Sequence, residues 1–102
     1  MKHDPECANT YGNIGAVYIA TEQYEQAQRC CQKAVEMMNR HRVGYSNEDY
    51  AIAHANLAIA VGRQGQIENA KRLLKIAEEY GYPNGSYVRR IVGIKKGLFS
   101  KP

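Results

Sequence analysis

Displaced by 43 residues, the chain matches itself: between Ala8–Met38 and Ala51–Gly81, eight of 31 aligned positions are identical, where ordinary residue frequencies give roughly two. The identities are Ala8/Ala51, Asn13/Asn56, Gln23/Gln66, Glu25/Glu68, Ala27/Ala70, Arg29/Arg72, Ala34/Ala77 and Glu36/Glu79. Other pairs keep size or polarity, as in Ile14/Leu57, Gly15/Ala58 and Cys31/Leu74. A short duplicated unit cannot bury its apolar face alone, so its copies must stack and share a core. This restricts the chain to a repeat architecture.

Each copy reads as two helices. Tyr11, Ile14, Gly15 and Tyr18 fall at i, i+3, i+4 and i+7, one face of a first helix. After a turn at Thr21-Glu22, a second stripe runs through Tyr24, Ala27, Cys31, Ala34 and Met38. The second copy repeats this with His54, Leu57, Ala58 and Val61, a turn at Gly65, then Ile67, Ala70, Leu74 and Ala77. Small residues at Gly15, Ala27, Ala58, Ala70 and Ala77 suit close helix crossings, where one side must contribute almost no volume.

The pattern Tyr11-x-x-Ile14-Gly15-x-x-Tyr18, followed by Ala27-x-x-x-Cys31 and Ala34, resembles the tetratricopeptide repeat. The second copy is similar, with His54 in the usual aromatic slot. The period exceeds the family's usual ~34 residues, and the extra residues lie around His41–Asn47. That longer spacing, with Asn56-Leu57-Ala58, resembles the repeats of kinesin light chains. Ser46 and Asp49 form an expected capping box before the third helix, and Gly44 is the expected end of the second.

Further along, Gly81 is an expected C-cap, Pro83 blocks continuation, and Ser86 can cap a last helix. The expectation is therefore all-α: an α-solenoid of two such hairpins plus a C-terminal capping helix. One domain spans residues 1–102, with repeat 1 at about 7–40, repeat 2 at about 48–81 and the capping helix at about 86–97.

Composition narrows the function classes. No apolar run reaches the ~20 residues of a membrane span, and Met1–Glu6 lacks a signal peptide's apolar core. The three cysteines, two of them adjacent, do not form a disulfide framework; a cytoplasmic chain is expected. No ligand spacing among Cys7, Cys30, Cys31, His3, His41 and His54 implies a metal site, and no cofactor is expected. There is no phosphate-binding glycine loop and no nucleophile elbow, so no catalytic residue is expected and the chain reads as a non-enzyme. Through Pro83 the chain has nine Lys/Arg against ten Asp/Glu, whereas Asn84–Pro102 has five basic residues and no acid. Five charges fall short of tight phosphate neutralisation, so a solvated capping helix is favoured over a nucleic-acid contact.

The resemblance implies a concave face lined by the first helix of each repeat, and hence a protein or peptide partner. Its expected lining is Asn9, Asn13, Ile52, Asn56, Ile59, Arg63, Arg89 and Arg90, with Gly12, Ala16, Ala20 and Ala55 between them. The two duplicated Asn amides can each donate to and accept from an extended peptide backbone. With Arg63, Arg89 and Arg90 expected at one end and no acid on these faces, an acidic ligand is expected. The alternative from a different class is self-assembly as a homodimer, because two and a half repeats leave solenoid ends uncovered.

Overall fold

The computed structural model describes residues 5–42 and 44–82, which form four helices: α1 (Pro5–Ala20), α2 (Tyr24–Arg40), α3 (Asn47–Arg63) and α4 (Ile67–Glu79). No strand occurs among the described residues. The expected capping helix, with Arg89 and Arg90, lies outside them.

Both hairpins turn in the same way. The Gln23 N–H donates to the Tyr18 carbonyl at 2.8 Å and the Glu22 N–H to that of Ile19 at 3.0 Å. In the second copy Gln66 bonds Val61 at 3.0 Å and Gly65 bonds Gly62 at 3.0 Å, the same pair of bonds 43 residues on. Both are Schellman endings, which need a left-handed residue after the helix. Gly65 supplies it at φ 92°, but the first copy has Glu22 at φ 61°. A Cβ in that region crowds the following carbonyl. Glu22→Gly should therefore stabilise the chain by about 0.5–1 kcal/mol, net of glycine's greater freedom when unfolded. A lower urea midpoint for the variant would contradict this. The same ending recurs after α4, where Gly81 has φ 107° and Tyr82 donates to the Ala77 carbonyl at 3.0 Å.

The start of α3 is a reciprocal cap. The Asp49 N–H donates to Ser46 Oγ at 3.1 Å, and the Ser46 N–H donates to Asp49 Oδ2 at 2.9 Å. At the other end of the loop α2 stops at Arg40, with His41 as its C-cap, rather than at Gly44. Gly44 serves the loop instead, at φ 103°.

The core lies between the helices of each hairpin and between α2 and α3. Ala27, Ala58, Ala70 and Ala77 are fully buried, as expected of crossing points, and Ala34 is fully buried as well. Gly15 marks the closest one: a Cβ there would sit 2.5 Å from Cys31 Sγ. Helix α3 is buried nearly all round, whereas α1 is not. Ile14, expected on the packing stripe, is 41% exposed, and Val17 is 62% exposed. The reason is positional. The α3 face that is homologous to Ile14 and Val17 packs against α2, and among the described residues α1 has no such neighbour on that side.

The long inter-repeat loop is closed by an aromatic cluster. Tyr50 stacks on Tyr80 with ring centroids 5.0 Å apart, and Tyr45 meets Tyr50 edge-on at 6.2 Å. Buried His54 lies 6.2 Å from Tyr80, nearly parallel. The Tyr50 hydroxyl donates to the Met38 carbonyl at 2.9 Å, tying α3 to the end of α2. Arg42 lies over the Tyr50 ring and donates to the Tyr80 hydroxyl at 3.2 Å, so the loop is attached to the end of α4 as well.

Candidate functional site

The first helix of each repeat faces the same opening. A cavity of about 410 Å³ lies between α1 and α3, lined by Asn9, Gly12, Asn13 and Ala16 of α1 and by Ile52 and Asn56 of α3. Ala8, Met38 and Ala53 close its floor, and Asp49 stands at the α3 N-terminal end. Helical spacing explains the set: residues 9, 12, 13 and 16, like 49, 52, 53 and 56, project from one side. Asn13 and Asn56, paired by the duplication, line this one space. Among the described residues neither side-chain amide takes part in a hydrogen bond, so the amides are not what holds α1 to α3.

Other members of the expected lining lie elsewhere. Ile59 and Ala55 are 3% and 1% exposed, packed into the α3 core rather than open to a ligand. Ala20 is exposed but does not line the cavity. Arg63 is drawn to the opposite hairpin: its guanidinium lies 5.2 Å from the ring centroid of Tyr24, at the start of α2. Beside it the Gln64 side-chain amide donates to Gln28 Oε1 at 2.7 Å and to the Tyr24 carbonyl at 3.3 Å. Both residues thus hold the end of α3 to α2. The sequence pattern put Arg63 on α3, and the structure sets its guanidinium over the Tyr24 ring.

The basic end expected of this face has no member among the described lining residues, and Arg89 and Arg90 lie outside the described residues. Among the described residues no Lys or Arg lines the cavity, and one acid does: Asp49, half-buried, with one oxygen engaged by the Ser46 N–H. Its identification as a cap was sound. That a first-turn cap also borders the cavity follows only from how α1 and α3 are set side by side.

A second cavity, of about 370 Å³, adjoins the first across Ile52, which lines both. Its walls are Glu48, Ala51, Tyr80, Gly81 and Tyr82. Ile52 is 47% exposed, an apolar ridge between the two spaces. Nothing in the periodicity pointed to this second space, because it depends on the end of α4 reaching the start of α3.

Burial, with a smaller contribution from Cys30, pushes the Cys31 thiol up to about 12, so it stays protonated at neutral pH. Cys7 is exposed and Cys30 half-buried. Among the described residues no group of three or more His, Cys, Asp or Glu could hold a metal ion, and no helix is long and apolar enough to cross a membrane.

Comparison with curated proteins and with solved structures returned no match. A family model does match, that of the tetratricopeptide repeat, over residues 6–79. Proteins of this family generally mediate protein–protein interaction, and the repeat is itself a non-enzymatic module. With two homologous hairpins, Schellman turns in register and small residues at every crossing, the chain belongs to the tetratricopeptide repeat family.

Proposed function

We propose that the face between α1 and α3 captures an extended peptide segment of a protein partner. The observation that carries this reading is that Asn13 and Asn56, whose amides make no hydrogen bond among the described residues, line one cavity. A side-chain amide can donate and accept at once, which matches the alternating groups of a peptide backbone and tolerates many side chains. Small residues at Gly12 and Ala16 leave room for the chain, and Ile52 offers an apolar contact. The acidic ligand expected from sequence depended on Arg63, which lies on Tyr24, and on Arg89 and Arg90, outside the described residues. The Asn13→Ala, Asn56→Ala double variant should weaken binding of every bound peptide by about tenfold or more, since each lost hydrogen bond is worth about 0.5–1.5 kcal/mol. Titration of labelled peptides selected from a random array is the measurement. Unchanged affinity in a folded double variant would refute the amide role.

Self-association is a second reading, favoured by α1. No charged residue occurs from Cys7 to Ala20, and Ile14 and Val17 are exposed on this edge helix. An exposed apolar strip on a helix without charged residues favours coverage by another apolar surface. A homodimer through α1 should give light scattering near twice 11.5 kDa. Val17→Lys should return it to the single-chain mass, because a two-fold axis brings two unpaired charges into one apolar contact. A wild-type chain that scatters as a monomer at micromolar concentration would eliminate the reading.

A further inference from the structure

Helix α1 carries a strip that recurs on α3, and there it is covered. Cys7, Thr10, Ile14 and Val17 follow one another at spacings of three, four and three residues, the seam along which one helix lies on another. All four are exposed, and no charged residue occurs from Cys7 to Ala20. Their homologues 43 residues on are Tyr50, Ala53, Leu57 and Ala60, none more than 7% exposed. Helix α2 covers that second strip: Val35 and Leu57 share the wall of one cavity, and the Met38 carbonyl accepts from the Tyr50 hydroxyl. What such a seam takes in this chain is another helix.

Charge selects the occupant. In head-to-tail stacking, a second copy would present α4 to α1 as α2 is presented to α3. The α4 homologues of Val35 and Met38 are Glu78 and Gly81, so a carboxylate would lose water against an uncharged seam. Helices α2 and α4 carry charges along their exposed sides, and α3 is buried nearly all round. Among the described residues, the uncharged and exposed helix side that a second copy offers is α1 itself.

Resting on the self-association reading above, we infer that two copies pair antiparallel through α1, about a two-fold axis that crosses the helix near Gly12. Each larger residue then meets a smaller one, Ile14 on the partner's Thr10 and Val17 on the partner's Cys7. A parallel pair would set Ile14 and Val17 each on its own copy and align the two helix dipoles. The antiparallel axis stands perpendicular to both helices and preserves direction along itself, so the two Asn13–Asn56 cavities open on the same side of the dimer. The contact is one helix long, about 15 Å from Cys7 to Val17. That is at the small end of interface sizes, so the dimer dissociates on dilution.

The test is disulfide trapping of the 102-residue chain at micromolar concentration in a glutathione buffer, read on non-reducing gels beside light scattering. Wild type should not cross-link, because the two Cys7 thiols lie at opposite ends of the seam. Val17→Cys should cross-link, because the introduced thiol faces the partner's Cys7. Val17→Cys combined with Cys7→Ser should not. Cys30 is present throughout, so the pattern across the three chains decides. Linked dimer in wild type or in the double variant overturns the antiparallel arrangement while leaving self-association standing, as does a Val17→Cys chain that scatters as a dimer without linking. A chain that stays monomeric, with α1 covered by its own residues 83–102 or left open, overturns both.

Discussion

Leu74→Ala should destabilise the chain by about 2–5 kcal/mol, a large share of the ~5–15 kcal/mol available to a domain of this size. Leu74 is 1% exposed, in α4 at the position homologous to Cys31 of α2. Its methyls fill the interior of the second hairpin, and the crossings beside it are already closed by Ala58, Ala70 and Ala77. Such crossings have no slack with which to collapse around a cavity, so the cost should include most of the void as well as the lost transfer energy. The complementary change, Ala70→Leu, should cost about 1–3 kcal/mol by overpacking, and Ala27→Leu the same in the first hairpin. Val17→Ala serves as the reference, since Val17 is 62% exposed and should shift stability little. Urea unfolding with an unchanged m-value is the measurement. A Leu74→Ala midpoint equal to that of Val17→Ala would overturn the assigned α4 packing.

The second large effect is expected at Tyr50. Tyr50→Ala should cost about 3–5 kcal/mol, whereas Tyr50→Phe should cost only about 0.5–1.5. The ring, 3% exposed, stacks on Tyr80, receives Tyr45 edge-on and lies under Arg42, so its loss would remove the aromatic contacts that join the inter-repeat loop to α3 and the end of α4. The phenylalanine variant keeps all of that and gives up only the buried bond to the Met38 carbonyl. Hydrogen exchange separates the two cases: Tyr50→Ala should deprotect the last turn of α2 and the first of α3, and Tyr50→Phe should not. Equal losses for the two variants would show that the hydroxyl, not the stack, holds the loop.

Peptide capture and self-association make different demands on the same helix. Asn9, Asn13 and Ala16 of α1 line the cavity, while Ile14 and Val17 point out of it. A dimer closed through Ile14 and Val17 therefore leaves the Asn13–Asn56 cavity open, so both readings can hold at once.

The sequence by itself determined the architecture. A duplicated pattern with 3.6-residue periodicity has one way to bury both copies, and small residues at fixed offsets dictate where helices cross. Gly65, Gly81 and the Ser46/Asp49 box were legible because caps are local, made within a few residues of chain. The placement of Asn13 with Asn56 was legible too, since the duplication puts homologous positions on the same side. Only the tertiary structure decided the rest, wherever a side chain answers to a partner far along the sequence. Arg63 lies over the Tyr24 ring, Ile59 is covered rather than offered, and Ile14 is exposed, with no neighbour on that side among the described residues. Asp49 serves as a cap and a cavity wall together, and Tyr45, Tyr50, His54 and Tyr80 converge from loop, helix and helix end. Periodicity states which side of a helix a residue occupies; what stands opposite depends on how the helices pack.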